Sequence, residues 1–175
     1  SAELVEPKRS SVSLGANGIS YAGFVLTRTR PVERLLEHAR GYMSDEAAAR
    51  AVCNCALRYA AIFSQTRHIG PPQRVYDLFY KWGVRNEGFA SPFNARLLGK
   101  PRARFFSAFS SSDAPFGSQG SFFEADLSHW SGAWCLDPPF IPETIRRVEN
   151  LLRTRVSSSG VAPCLLIIPD SYELE

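Results

Sequence analysis

The chain has 175 residues, 45% hydrophobic, 21% charged and 12% aromatic, with a formal net charge of +3, the make-up of one globular domain or of one and a half small ones. Those figures exclude a disordered tail, a collagen-like chain and a disulfide-dense miniprotein. The longest uncharged apolar run, Val161–Pro169, is far short of the roughly 20 residues of a membrane-spanning helix, so a soluble protein is expected.

Residues 1–18 carry Ser, Gly and charge without apolar periodicity and are expected to be a loose leader. Ser1–Glu6 lacks the basic-then-apolar order of an export signal. Ile19–Leu26 alternates as a strand does. The period then becomes helical. Pro31 suits a first helical position, and Val32, Leu35, Leu36 and Ala39 form one stripe before Gly41. Ser44 can cap a second helix, with Asp45 and Glu46 complementing its positive end. Its apolar face is Ala48, Val52, Cys55, Tyr59 and Ile62 or Phe63. A third helix is expected over about 73–82, burying Val75, Leu78, Phe79 and Trp82, with Gly83 closing it.

Beyond that point the texture changes. Arg104–Phe109 reads as a strand, 110–121 as a Ser/Gly/Pro loop, and Gly132–Leu136 as a strand that runs straight into Asp137-Pro138-Pro139-Phe140. An amphipathic helix follows from Pro142 to about Arg155, with Ile145, Val148, Leu151 and Leu152 on one face and Arg146, Arg147 and Arg153 on the other. After the turn Ser157–Gly160, Cys164–Ile168 is an aliphatic run of the kind buried inside a parallel sheet. Strand, helix, strand in this order is a right-handed βαβ unit of a doubly wound sheet, which binds ligands beyond the carboxyl ends of its strands.

The four cysteines (Cys53, Cys55, Cys135, Cys164) form no C-x-x-C pair and have no His at zinc-finger spacing, so no metal is expected. Unpatterned thiols fit a reducing compartment, and Cys53 and Cys55 should point to different faces of their helix. The cations comprise 17 Arg and only 3 Lys (Lys8, Lys81, Lys100). Arg grips phosphate bidentately and stacks on bases, which points to a polyanionic partner; a GC-rich genome accounts for the bias equally well. Arg96, Lys100, Arg102 and Arg104 read either as a phosphate track or as a solvated loop.

Asp137-Pro138-Pro139-Phe140 carries the chemistry. Two prolines stiffen a loop and contribute no N–H, so their carbonyls are left to accept hydrogen bonds, and an aromatic follows at once. Such a loop suits a flat base with an exocyclic amine: Asp137 and the Pro138 carbonyl accept its two N–H bonds while Phe140 stacks on the ring. Holding both hydrogens pyramidalises the nitrogen and aims its lone pair at an electrophilic methyl group. Asp-Pro-Pro is also ordinary turn chemistry, and its setting between a strand and an amphipathic helix favours the functional reading.

The tetrapeptide is shared with amino-methyltransferases that use S-adenosylmethionine. Three blocks in order resemble the phosphorylated-CTD-interacting-factor family, the cap-specific adenosine N6-methyltransferases of messenger RNA: Gln73–Asn94, Phe106–Phe109 with Pro115–Phe123, and Gly132–Glu143 followed by Leu166–Pro169. The resemblance implies an α/β fold, an N-terminal helical region followed by a partial Rossmann-like methyltransferase sheet. It divides the chain into the leader at 1–18, a mainly helical region with one strand at 19–100, and the core at 101–175. It further implies S-adenosylmethionine as methyl donor, capped 5′ RNA as partner, no membrane, and a nuclear or cytoplasmic location. Carried over, Asp137, Pro138, Pro139 and Phe140 match the catalytic loop, which in the family usually begins with Asn. Ser91, Asn94, Pro169 and Asp170, with the Arg96, Lys100, Arg102 and Arg104 track, fall to the substrate, and Phe116, Gly117 and Glu143 to the donor. Gly117-x-x-Gly120 by itself reads first as a tight turn, and Gly88–Asn94 equally as a buried connection. The family's WW module has no counterpart in Trp82, Trp130 and Trp134. Four legible strands fall short of a seven-stranded sheet, so a fragment completed by a protein partner is expected. A catalytically inactive, methyltransferase-like RNA-binding or assembly subunit is the alternative.

Overall fold

The computed structural model describes residues 11–63, 70–129, 131–156 and 162–170, and the chain divides into two compact units, Ser1–Ile62 and Phe63–Glu175. Among the described residues no helix is long and apolar enough to cross a membrane.

In the first unit β1 (Val12–Leu14), β2 (Gly18–Tyr21) and β3 (Phe24–Thr27) form an antiparallel sheet in that order. The single strand expected over Ile19–Leu26 is in fact a hairpin. Tyr21 pairs with Phe24 across Ala22-Gly23, whose φ angles of 49° and 78° are those of a type I′ turn. Ala at the first loop position hides the turn, because its usual signature is Asn-Gly or Gly-Gly. Val12–Leu14 orders part of the stretch expected to be loose; residues 1–10 lie outside the described residues. α1 (Arg30–Arg40) buries Val32, Leu35, Leu36 and Ala39, as its spacing requires. Arg28 donates to Glu33 and to the Gly15 carbonyl, tying a hairpin loop to the first turn of α1; its hydrogen bond holds the Glu33 carboxyl below the usual range. In α2 (Asp45–Phe63) Ser44 Oγ accepts the Ala47 N–H at 3.3 Å. Ala48, Val52 and Cys55 are buried, and so are Ala49 and Cys53. The two cysteines do leave by different faces, but these small side chains let neighbours enclose both.

The second unit runs α3 (Gln73–Lys81), β4 (Val84–Glu87), β5 (Arg104–Phe105), α4 (Ser110–Asp113), three 3-10 turns, β6 (Ala133–Leu136), α5 (Pro142–Val156) and β7 (Cys164–Leu166). The strands form one parallel sheet in the order β5-β4-β6-β7. This is the expected α/β class, helices followed by a partial Rossmann-like sheet. Strand parity at β6 sets the layers. Trp134 and Leu136 pack with Phe106, Phe122, Leu127 and Val148 of α5, while Cys135 packs with Tyr76, Val84 and Leu97 on the α3 face. Both faces are covered, as parallel sheets require.

Four local expectations are corrected. β4, Val-Arg-Asn-Glu, is a central strand that no aliphatic pattern announces. Two of its polar side chains are buried: Asn86 Nδ2 donates to the Ser131 and Gly132 carbonyls while its Oδ1 is buried without a hydrogen bond, and Glu87 accepts backbone N–H groups. α3 buries Tyr76, whereas Leu78 and Trp82 (65% exposed) face outward. The sheet-facing stripe runs through Tyr76, Phe79 and Tyr80; the Tyr76 hydroxyl donates to Asp137 and the Tyr80 hydroxyl to the Pro101 carbonyl. β5 is shorter than expected, since after Phe105 the chain turns and the Phe106 carbonyl bonds to the Ala90 N–H. β7 has only β6 as a neighbour among the described strands, so its aliphatic run is half-buried, with Leu165 37% exposed.

Gly132, just before β6, has φ +90°, and a Cβ there would lie 2.6 Å from Arg85 Cγ. Arg85 cannot yield easily, because its Nη1 holds the Tyr80 and Val84 carbonyls and its guanidinium lies 4.0 Å over the Tyr80 ring. Gly99 has φ +83° with nothing within 4 Å of such a Cβ. Gly132→Ala is therefore expected to lose about 3 kcal/mol in urea unfolding, and Gly99→Ala about 1 kcal/mol. Equal losses would mean that the contact with Arg85 carries no strain.

Candidate functional site

The strand order reverses beside β4: the chain passes from β4 to β5 on one side and returns to β6 on the other. The loops leaving the carboxyl ends of β4 and β6 therefore diverge, and a crevice opens between them, the usual ligand position in open parallel sheets. Gly70, Tyr76, Glu87, Phe89, Asn94, Arg96 and Asp137 line it, around an enclosed volume of about 20 Å³.

Asp137 arrives there by parity. Cys135 faces α3, so the residue two positions on does as well, and Tyr76 Oη donates to Asp137 Oδ2 at 3.3 Å with both groups buried. Pro138 is buried, Pro139 half-buried and Phe140 48% exposed. The Ile141 N–H donates to the Pro139 carbonyl at 2.6 Å, and the Ile141 carbonyl accepts from Thr144 and Ile145, so α5 begins directly after the aromatic. The loop is pinned by Tyr76 at one end and by a helix at the other, with the phenyl ring at the surface.

Glu87 ends β4. The register irregularity between Val84 and Asn86 turns it toward α3, in register with Cys135. Its buried carboxylate accepts the N–H of Arg96 at 2.9 Å and of Leu97 at 3.1 Å. Burial pushes this acid up to about 7, with Asp137 adding to the rise and the two backbone donors opposing it. Burial, followed by the charge of Glu87, also pushes the Cys135 thiol up to about 12. The Tyr76 phenol is raised well above its ordinary value, again chiefly by burial, and stays a neutral donor.

The other residues singled out from the sequence divide. Asn94 and Arg96 line the crevice. Asn94 Oδ1 accepts from the Ser91 N–H and hydroxyl, so Ser91 serves the loop that presents Asn94. Phe89 both lines the crevice and packs on Phe122 with centroids 5.0 Å apart, so the Gly88–Asn94 connection is at once buried and part of the wall. Lys100 pairs with Asp77 at 2.8 Å, Arg102 sits on a turn with φ +59°, and Arg104 lies on β5 opposite Asn86; none of these three lines the crevice. Pro169 and Asp170 follow β7 at the same sheet edge as Asp137. Glu143 is exposed in the first turn of α5, Phe116 is fully buried, and Gly117 (φ +87°) ends a 3-10 turn, all three away from the crevice lining. Tyr76 and Glu87 went unnoticed in the sequence. Tyr76 lay in a helix whose stripe was drawn one position off, and Glu87 on a strand without an aliphatic signal; an acid directly before Gly88 was the one available cue.

None of the four cysteines is in a disulfide, and among the described residues no group of His, Cys, Asp and Glu is placed to hold a metal ion. No curated protein matches the chain. A family model described as phosphorylated CTD interacting factor 1 WW domain matches residues 34–173. The matched residues form helices and a parallel sheet, with Trp82 at the end of α3 and Trp134 buried on β6; Trp130 lies outside the described residues.

Proposed function

The chain belongs to the phosphorylated CTD interacting factor 1 WW domain family, and from that premise we propose that it is an S-adenosylmethionine-dependent methyltransferase acting on N6 of an adenosine in RNA, at or next to the capped 5′ end of messenger RNA. The observation that carries this reading is the position of Asp137, the one residue of Asp137-Pro138-Pro139-Phe140 that lines the crevice where the strand order reverses, with the Phe140 ring exposed at the surface three residues on. Asp137 and the Pro138 carbonyl accept the two N–H bonds of the adenine amine, and Phe140 stacks on the base. The amine so held presents its lone pair, and its proton leaves to water after the N–C bond has formed, so no separate base is required.

The donor, when bound, supplies an electrophilic methyl group on a sulfonium. Two carboxylates, Glu87 and Asp137, line the crevice, a donor set that fits a cation, and Glu87 is the residue that would hold it. The enclosed part of the crevice measures about 20 Å³, room for a methyl group and not for a nucleoside joined to an amino acid, so the remainder would extend over the loops past β4 and β7. Arg96, Asn94, Pro169 and Asp170 are assigned to the RNA, and a capped substrate implies work in nucleus or cytoplasm. The narrow crevice, with Glu143, Phe116 and Gly117 away from its lining, favours a second reading: a methyltransferase-like RNA-binding or assembly subunit without activity, completed by a protein partner.

Labelled donor mixed with the chain and with capped or uncapped adenosine-initial RNA separates the two. Label entering only the capped RNA supports the enzyme. RNA binding without any donor binding in calorimetry rejects it in favour of the second reading.

A further inference from the structure

We propose that Tyr76 is the positioning residue of this site: its hydroxyl holds the Asp137 carboxylate in the orientation that accepts the amine of the substrate. The inference rests on the reading of Asp137 as that acceptor.

An Asp side chain has a broad, nearly two-fold preference at its last torsion, so its backbone does not fix the plane of the carboxylate. Here the two residues that follow are prolines, which have no N–H with which to hold it. Tyr76 supplies a hold from another element, its hydroxyl 3.3 Å from Oδ2. Tyr76 is itself enclosed: it lies buried on α3, packs with Val84, Leu97 and Cys135, and meets Phe79 edge to face with centroids 5.8 Å apart. Cys135, which packs in the same cluster as Tyr76, comes from the strand that delivers Asp137, so helix and strand are registered against each other at the phenol. A carboxylate offers about four acceptor sites, so one bond to a phenol leaves capacity for an amine N–H. The bond also matters electrostatically. Glu87 lines the same crevice, and the phenol remains a neutral donor to the Asp137 carboxylate.

Tyr76→Phe removes the hydroxyl and keeps the ring. A hydrogen bond to a charged group is worth a ten- to hundredfold factor when it is lost. In the full chain kcat for methyl transfer is expected to fall by about that factor, with KM for RNA and donor within about twofold, while a melting curve records separately the stability lost when the buried Asp137 oxygen loses its donor. Because Tyr76 acts through Asp137, the double variant with Asp137→Ala should be no slower than Asp137→Ala alone. Amide NMR supplies a readout that needs no turnover: the Asp137, Phe140 and Ile141 signals should broaden and exchange faster in Tyr76→Phe. Unchanged kcat, losses that multiply in the double variant, or loop amides identical to wild type would each overturn the role of Tyr76. If the wild type transfers no methyl group, the reading of the reaction falls, and the loop amides by themselves decide whether the hydroxyl clamps Asp137.

Discussion

Asp137→Ala should slow methyl transfer by about a thousandfold, the largest single effect on activity that the site admits. The variant removes one of two acceptors that define where the amine hydrogens go, and loss of one preorganised partner at a reacting centre typically costs a factor of about 10² to 10³. It also strands the buried Tyr76 hydroxyl, at about 1–2 kcal/mol of stability, which a melting curve measures separately. Phe140→Ala differs in kind: the ring is 48% exposed, so the fold loses little, and a base-stacking contribution of about 1–3 kcal/mol should appear as a ten- to hundredfold rise in KM for RNA. Initial rates with labelled donor check both, and wild-type turnover by Asp137→Ala would remove the loop from the mechanism.

The second large effect falls on stability. Burial pushes the Glu87 carboxyl from its ordinary 4.5 up to about 7 in the folded chain, so between those limits the folded state binds a proton that the unfolded state has released. Stability from this group is complete below about pH 4.5 and is lost as the pH rises through 7, a total of about 3 kcal/mol at ~1.4 kcal/mol per unit. Glu87→Gln keeps an oxygen for the Arg96 and Leu97 N–H groups and has nothing to ionise. Urea midpoints from pH 4.5 to 8 should show the wild type losing about 3 kcal/mol relative to Glu87→Gln over that window, with no further divergence above it. Parallel curves would place the ionisation of Glu87 elsewhere.

The contrast between these residues marks what a sequence discloses. Asp137-Pro138-Pro139-Phe140 stood out because two prolines and an aromatic are local features, legible without knowledge of what surrounds them. α1, α2 and α5 were legible for a similar reason: each buries one stripe at helical spacing, and its stop and start residues are adjacent in the chain. β4 was illegible because its burial depends on partners at residues 96, 97, 131 and 132, and no window around Val84–Glu87 contains all of them. Tyr76 was missed through a one-position ambiguity, since α3 offers two aromatic stripes and only the sheet chooses between them. The family match rested on blocks spread over the same region, which is why identity was easier to read than the residues lining the crevice.

β4 also bears on how the sheet is built. Collapse of Val84–Glu87 against a helix alone would leave an amide and a carboxyl dehydrated without partners. The acceptors for Asn86 lie 45 and 46 residues further on, so the central strand gains from burial only when that span has closed and Gly132 stands beside Arg85. Assembly of the parallel sheet is thus gated by a loop closure of high contact order, a step that early formation of α3 or α5 does not shorten.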